Sequence, residues 1–358
     1  MEMIENETKK DLKNLTLSEL TEEFLALGEK KFRAKQVYEW IHQKLVDDVD
    51  AMTNLSGAFR EQLKNNYTMT HLEIEDLQIS KEDGTRKYLF RLADGNYVES
   101  VLMRYKYGNS VCISSQVGCR MGCKFCASTL DGLARNLASA EMLDQIYQIT
   151  KDTGERVSHV VVMGTGEPMD NYDNLLKFIH MLTNEDGLHL SQRDVTVSTC
   201  GIVPRMRQLA DEKLQITLAL SLHAPTDEKR KALMPIANSY SLEELMDACR
   251  YYFKQTGRRL TFEYSLVKGK NDGKEEAAEL IRLIKGMNCH VNLIPVNPVK
   301  ECGMEETDRG DVISFQKELE KAHIQATIRR EMGRDIDGAC GQLRRRHSQN
   351  SDSRGTLK

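Results

Sequence analysis

The sequence predicts an α/β protein whose body is a partial (βα)6 barrel of the TIM type, with a small helical amino-terminal accessory domain and a β-hairpin extension. Three observations carry this expectation. Continuous Val/Ile/Leu runs recur after Gly108, as in a parallel sheet covered on both faces. Amphipathic stretches of helical length separate those runs. Residues 1–70, by contrast, show helical periodicity alone.

In that first domain Thr16 and Glu19 suit a capping box, after which Leu17, Leu20, Phe24 and Leu27 recur at helical spacing. A second helix is expected through Val37, Trp40, Ile41 and Leu45, and a third through Leu55, Phe59 and Leu63. Such stripes read as the core of a small domain. Residues 71–108 form the extension: RKYLFRL (86–92), the turn signal Asp94-Gly95, then YVESVLM (97–103). Residues 109–345 form the barrel. Its expected strands are SVCISS (110–115), HVVVMG (159–164), DVTVSTC (194–200), ITLALSLH (216–223), RLTFEYSLV (259–267) and HVNLIPV (290–296), and IQATIRR (324–330) adds one more. Helices are expected over 140–151, 172–183, 241–255, 274–286 and 311–323. Residues 346–358 are polar and expected to be a disordered tail.

Composition bounds the function. With 40% hydrophobic and 29% charged residues over 358 positions, the chain can bury a sizeable core. No run approaches the roughly 18 apolar residues of a membrane span, and the charged amino terminus lacks the apolar centre of a secretory signal. A cytoplasmic location without membrane contact is therefore expected. The net charge of −4 argues against a generally basic nucleic-acid coat, although Arg344, Arg345 and Arg346 form a local patch that also reads as a solvated face. Nine cysteines in a reducing compartment point to metal and redox chemistry rather than a disulfide framework.

Cys119, Cys123 and Cys126 form an isolated C-x3-C-x2-C triad in GCRMGCKFC, directly after the first barrel strand. Four thiolates saturate an iron–sulfur cluster or a structural zinc. Three can hold three irons of a cubane and leave the fourth open to a ligand. The alternative is a zinc site completed by a distant His or Cys. Other candidates stand where the strands end, the rim at which such barrels place their active sites. They are Gly166 and Glu167 (GTGEP), Ser198 (VTVSTCG), Ser221, Leu222 and His223 (LSLHAP), and Asn297 (PVNP). Alone, each reads as a turn, a cap or a satisfied polar group.

The triad resembles that of the radical S-adenosylmethionine enzymes. The resemblance implies a [4Fe-4S] cluster held by Cys119, Cys123 and Cys126, with its open iron chelating S-adenosylmethionine, whose reductive cleavage yields a 5′-deoxyadenosyl radical. It also implies that Gly166, Glu167, Ser198, Ser221, Leu222, His223 and Asn297 contact the cofactor, Glu167 at its amino group.

Two further thiols narrow the resemblance. Cys112 lies on the first barrel strand, and Cys340 lies in IDGACGQL between Gly338 and Gly341, which free its backbone to carry a thiol toward the rim. The other cysteines read as buried and inert. From residue 15 to 345 the chain is similar to the RlmN-type adenine C2-methyltransferases, through CISSQVGCRMGCKFCAS, MGTGEPMDN, STCGIVP, SLHAP, NLIPVNP and DIDGACGQL, and no position expected to be functional is replaced. This implies methylation of 23S rRNA and some tRNAs with two S-adenosylmethionine per product. The methyl group first passes to Cys340. A radical on that S-methyl carbon adds to the adenine. Glu99 (VES) accepts the proton at carbon 2, and Cys112 attacks Cys340 to release the base through a transient disulfide. The target adenine must be unstacked to enter, and the amino-terminal domain with Arg329, Arg330, Arg334 and Arg344 to Arg346 is the candidate RNA surface. A small reductant protein such as a flavodoxin or ferredoxin and a monomeric state are implied as well. Competing readings are a Cfr-type carbon 8 methyltransferase, which shares the cysteines, and a non-enzymatic iron–sulfur RNA-binding regulator, which leaves Cys340 and the rim residues without a role. A methylthiotransferase would need a second three-cysteine cluster site.

Overall fold

Apolar strands collapse here into one ten-stranded sheet. The structure, a computed structural model, describes residues 9–296, 303–336, 343, 344 and 347. Asn297, Cys302, Cys340, Arg345 and Arg346 lie outside the described residues. No helix among the described residues is long and apolar enough to cross a membrane.

The chain begins with β1 (Lys10–Asp11), continues through α1 (Leu17–Ala26), α2 (Lys31–His42) and α3 (Gly57–Asn66), and returns at β2 (Tyr67–Thr68), which pairs in parallel with β1. The capping box forms: Glu19 N–H donates to Thr16 Oγ1 at 3.2 Å, and Thr16 N–H donates to Glu19 Oε2 at 2.7 Å. Leu20, Phe24, Val37, Ile41, Phe59 and Leu63 are buried between the helices, with the Phe24 and Phe59 rings edge to face at 5.2 Å.

Next come β3 (Glu73–Ile79), β4 (Arg86–Arg91), β5 (Tyr97–Tyr105) and β6 (Gly108–Cys112), successively antiparallel. A small ribbon of β7 (Gln116–Gly118) and β8 (Leu133–Asn136) follows, then α4 (Ser139–Thr153) and β9 (Val157–Val162), which pairs in parallel with β6. The remaining alternation is α5 (Tyr172–Thr183), β10 (Val195–Thr199), α6 (Val203–Asp211), β11 (Thr217–Ser221), α7 (Asp227–Leu233), α8 (Leu242–Thr256), β12 (Leu260–Leu266), α9 (Lys274–Ile284), β13 (Cys289–Pro295), α10 (Arg309–Lys321) and β14 (Gln325–Ile328). The sheet order is β14-β13-β12-β11-β10-β9-β6-β5-β4-β3. It is linear, so the barrel stays open.

Two features differ from expectation. The segment read as a hairpin extension is the antiparallel half of the barrel's own sheet, because β6 pairs with β5 on one side and β9 on the other. The triad also does not follow β6 directly. It is carried between β7 and β8, strands too short to leave a periodic trace.

The amino-terminal unit is tied to the barrel by buried polar groups. Lys13 Nζ meets Asp144 Oδ1 at 2.5 Å, with both side chains almost wholly out of solvent, and Leu72 N–H donates to Asp144 Oδ2 at 2.7 Å. His42 Nδ1 and Tyr147 OH are 2.7 Å apart, also buried. Burial favours the neutral imidazole, holding the His42 pKa down at about 3. Removing one member of a buried ion pair typically costs about 3–5 kcal/mol, and without Asp144 the buried Lys13 is left with its longer contact to Asp47 at 3.3 Å. Asp144→Ala is therefore expected to lower unfolding stability by about that amount. Hydrogen exchange should rise across residues 10–69 in the same variant; unchanged protection there would show that the pair does not hold the unit.

Candidate active site

At the carboxyl ends of the parallel strands lies a cavity of about 260 Å³. Its wall joins Cys119, Cys123 and Cys126 to Gly166, Glu167, Ser198, Ser221 and His223, so these sequence-expected positions meet in one place. Leu222 does not line it. That side chain is in the core, and its backbone N–H donates to Glu263 O at 3.0 Å, which makes its place in the site a backbone one. Asn297 is outside the described residues.

The triad loop is pinched at its base. Cys119 N–H donates to Gly132 O at 2.9 Å, and Gly118 has φ +78°. A Cβ on Gly118 would lie 2.0 Å from Gly132 O, so only glycine lets the two strands approach this closely. Lys124 N–H donates to Leu233 O at 3.0 Å, seating the tip of the loop on the end of α7.

Burial raises the Cys119 thiol to about 12, with Cys126 adding repulsion, and pushes Cys123 up further by the same causes. Without a cation the loop therefore favours thiols; iron would supply the positive charge that makes them thiolates. Cys119, Cys123 and Cys126 line one cavity wall together, and soft thiol donors of this kind are the ligands that iron–sulfur clusters take. The residues present fit a three-cysteine cluster.

Glu167 is held by backbone donors. Cys200 N–H donates to Oε2 at 2.7 Å and Met169 N–H to Oε1 at 3.0 Å. Burial raises its pKa, and these donors oppose the shift. A carboxylate so placed, with its charge turned to a cavity, suits the ammonium group of an amino acid. Ser198 and Ser221, on adjacent strands, bring their hydroxyls to 3.5 Å. His223 adopts φ +55°, a conformation that costs on the order of 1–3 kcal/mol and is held by its surroundings. Ser265 N–H donates to His223 Nδ1 at 2.9 Å, Asn271 Nδ2 donates to its carbonyl at 2.6 Å, and Phe125 meets its ring edge to face at 4.8 Å. Burial, and secondarily Arg230, lower its pKa to about 3, so the ring is neutral. With Nδ1 accepting, Nε2 carries the proton as a fixed donor.

A second polar face lies on the antiparallel half of the sheet. Glu99 pairs with Leu89 across β4, and Val101 pairs with Lys87 on β4 and with Cys112 on β6, so Lys87, Glu99 and Cys112 share one face. Glu99 is 4% exposed rather than solvated. Its Oε2 lies 3.0 Å from Lys87 Nζ, and its Oε1 accepts from Arg344 N–H at 2.6 Å. The carboxyl-terminal chain crosses this half of the sheet: Gly333 N–H donates to Asp83 Oδ2 at 2.9 Å and Lys81 N–H to Asp335 Oδ2 at 2.7 Å. Cys340 lies between those contacts in sequence but outside the described residues.

Sequence reasoning missed Glu263, a buried carboxylate on β12 that lines the cavity and accepts from Asn292 Nδ2 at 2.8 Å. A carboxylate within an apolar strand was its signal. Arg329 is exposed and also lines the cavity. Arg330 is exposed, Arg334 pairs with Glu331, and Arg344 pairs with Asp131 at 3.3 Å.

Residues 10–69 match the ribosomal RNA large subunit methyltransferase N-terminal domain, and residues 113–283 match the radical SAM superfamily. A probable dual-specificity RNA methyltransferase RlmN of Lachnospira eligens is 65% identical over 342 residues, covering 96% of this chain and 98% of that protein. The corresponding Clostridium novyi protein is 54% identical, covering 96% and 100%. A crystal structure of a radical SAM methyltransferase from Sphaerobacter thermophilus superposes with a TM-score of 0.89 at 41% identity, covering 93% of this chain and 98% of that one.

The charges at the cavity predict its pH response. His223 stays neutral above pH 4, so S-adenosylmethionine affinity is expected to show no step near the ordinary histidine value. Affinity falls on the acid side, as the raised Glu167 takes up its proton. Glu167→Gln is expected to weaken binding at least about tenfold and to flatten the profile, since hydrogen bonds to charged groups are worth about 1.5–3 kcal/mol. Equilibrium dialysis between pH 5 and 8 checks both.

Proposed function

Because the chain belongs to the RlmN family of radical S-adenosylmethionine RNA methyltransferases, we propose that it methylates carbon 2 of an adenosine in 23S rRNA and in some tRNAs. The observation that supports this reading is the pairing of two sites: a cavity behind the triad, and a buried Glu99–Cys112 face that Arg344 meets, with Asp335 on the turn between β3 and β4 of the same half-sheet.

Cys119, Cys123 and Cys126 would hold a [4Fe-4S] cluster and Glu167, Ser198, Ser221 and His223 the S-adenosylmethionine. When bound, these supply a methyl donor and, after one-electron reduction by a flavodoxin-like or ferredoxin-like carrier, a carbon-centred radical. The chain's residues do the rest. Cys340 takes the methyl group as a thioether and, once the base is joined to that carbon, tethers RNA to protein. Glu99 accepts the carbon 2 proton. Lys87 Nζ and Arg344 N–H hold its two oxygens, an environment that favours the carboxylate form a proton acceptor needs. Cys112, as its thiolate, attacks the Cys340 sulfur; the S–S bond forms as the carbon–sulfur bond breaks, the methylene carbon takes its electron pair and a proton to become the methyl group, and the one surplus electron of the adduct returns to the redox centre that supplied it. Such a disulfide is transient, the kind a reducing compartment permits. The amino-terminal domain and the arginines around the cavity mouth would meet the RNA, the target adenine leaving its stack to enter. The chain would work in the cytoplasm as a monomer.

Cys340→Ala is expected to abolish methylation while leaving the cluster's visible absorption intact; full activity would discard the covalent route. Cys112→Ala should accumulate protein crosslinked to RNA, visible as a shifted band under denaturing conditions. Its absence would remove the resolving role. Mass spectrometry of rRNA from cells with and without the protein should locate the new methyl group at carbon 2. A label at carbon 8 would favour the Cfr-type reaction, and no label would leave the regulator reading.

A further inference from the structure

Arg230, on α7, is the largest fully buried side chain among the described residues and has 0% exposure. Its hydrogen bonds all go to neutral backbone carbonyls: Nη2 to Cys200 O at 2.6 Å and to Ser221 O at 3.5 Å, and Nε to Leu222 O at 3.3 Å. Its Nη1 is buried with no hydrogen-bond partner. No carboxylate among the described residues forms an ion pair with it. Asp227, in the same helix, acts on it only at longer range and spends Oδ1 on Leu242 N–H at 2.8 Å. Nor does Arg230 line the cavity; Cys200 and His223, which do, stand between.

A buried cation with neither counter-ion nor full hydrogen bonding is costly, and folded chains rarely keep one unless something brings the opposite charge. The nearest candidates are the thiols. Cys200, whose carbonyl Arg230 holds, belongs to the same packed cluster as Cys123 of the triad, and Lys124 N–H, next to Cys123, donates to Leu233 O on the helix that carries Arg230. A four-iron cluster on three thiolates carries one net negative charge when oxidised and two when reduced. We propose that Arg230 is the internal counter-cation of the triad's cluster, a positioning residue that stabilises the cluster's extra electron and thereby raises its reduction potential.

This rests on the triad holding a cluster, as argued above. The step concerned is the transfer of one electron from a low-potential flavin or iron–sulfur carrier to the oxidised cluster, with no bond made or broken and no proton taken up. Charge burial and local hydrogen bonding to sulfur are recognised determinants of such potentials. A cation in a low-dielectric surround favours the doubly negative state over the singly negative one. The three carbonyl contacts also give Arg230 a structural use, tying the ends of β10 and β11 to α7. The two roles separate experimentally, because a lysine keeps the charge and loses the planar fork.

The test is a redox titration of the reconstituted holoenzyme, following the reduced cluster by electron paramagnetic resonance, for wild type, Arg230→Gln and Arg230→Lys. At a fixed poise Arg230→Gln is expected to hold about tenfold less reduced cluster, a midpoint about 59 mV more negative. Arg230→Lys should stay within about threefold of wild type, and wild-type far-ultraviolet dichroism and iron content would accompany both. An unchanged midpoint in a folded, cluster-loaded Arg230→Gln protein overturns the proposal. So does an equal shift in Arg230→Lys, which would place the effect in the fork and its carbonyls. Should Arg230→Gln fail to take up the cluster, a loaded Arg230→Lys with a wild-type midpoint supports the charge role, and failure of both variants to fold marks a structural tie only. A wild-type protein that takes up no iron and sulfide would instead sink the cluster reading itself.

Discussion

The site depends on one seam, where the segment after β6 meets the segment after β9. Ser115 N–H and Gln116 N–H both donate to Thr165 O, at 2.9 and 3.2 Å, and Gly164 N–H donates to Ile113 O at 3.0 Å. Thr165 N–H donates to Ser114 Oγ and Glu167 N–H to Gln116 Oε1, at 3.0 and 2.8 Å. The backbones approach so closely that a Cβ at Gly164 would lie 2.7 Å from Ile113 O, and one at Gly166, where φ is +113°, 2.7 Å from Gln116 Cβ. One side of the seam leads into the triad loop and the other presents Glu167. The spacing between the triad loop and Glu167 is thus set by a hydrogen-bonded interior contact rather than by a loop. A network satisfied to this degree is rigid, which is what positioning on the ångström scale requires.

From that seam the division of the sheet acquires a reason. The parallel half gathers strand ends into one rim, where the cofactor groups stand. The antiparallel half places Glu99 and Cys112 on one face through its register: Val101 lies opposite Cys112, and Glu99 stands two residues before Val101 on the same face of β5. These groups share a β6 that belongs to both halves. Continuity of the sheet is therefore what holds the cavity rim and the Glu99–Cys112 face in a fixed relation.

Much of this was legible in the sequence, for identifiable reasons. Strands buried on both faces read as unbroken Val/Ile/Leu runs, and the core positions of β9 to β13 followed from them. The triad was legible because its spacing has few other uses. What escaped was what leaves no local pattern. β7 and β8 have three and four residues, too few for a period, so the hairpin carrying the triad was invisible. The helices α6 and α7 left weaker traces because they are short, nine and seven residues, and DEKRKAL is almost all charge. Leu222 was legible as a member of LSLH, but whether its side chain or its backbone matters depends on strand pairing. Burial of ionic groups was the largest omission. Glu99 and Glu263 each look like solvated carboxylates, and only partners far away in the chain, Lys87 on a neighbouring strand and Asn292 on another, place them indoors.

Those buried charges fall into two kinds, and the difference follows function. Lys13 with Asp144 and Lys87 with Glu99 are matched ion pairs, complete within the protein. Around the cavity the matching stops: Glu167 rests on backbone N–H groups, Glu263 on one amide, and Arg230 on carbonyls. Dipoles soften a buried charge but do not cancel it, and desolvation leaves each such group a standing cost of several kcal/mol. A fold that neutralises its charges elsewhere has no packing reason to leave two such groups at the cavity wall and a third behind it on dipoles alone. The reason is electrostatic. An ammonium, a sulfonium and a thiolate cluster are themselves charged, and a cavity already neutral would hold them no better than water does. The polypeptide thus carries in its interior the inverse of the charges it is built to receive.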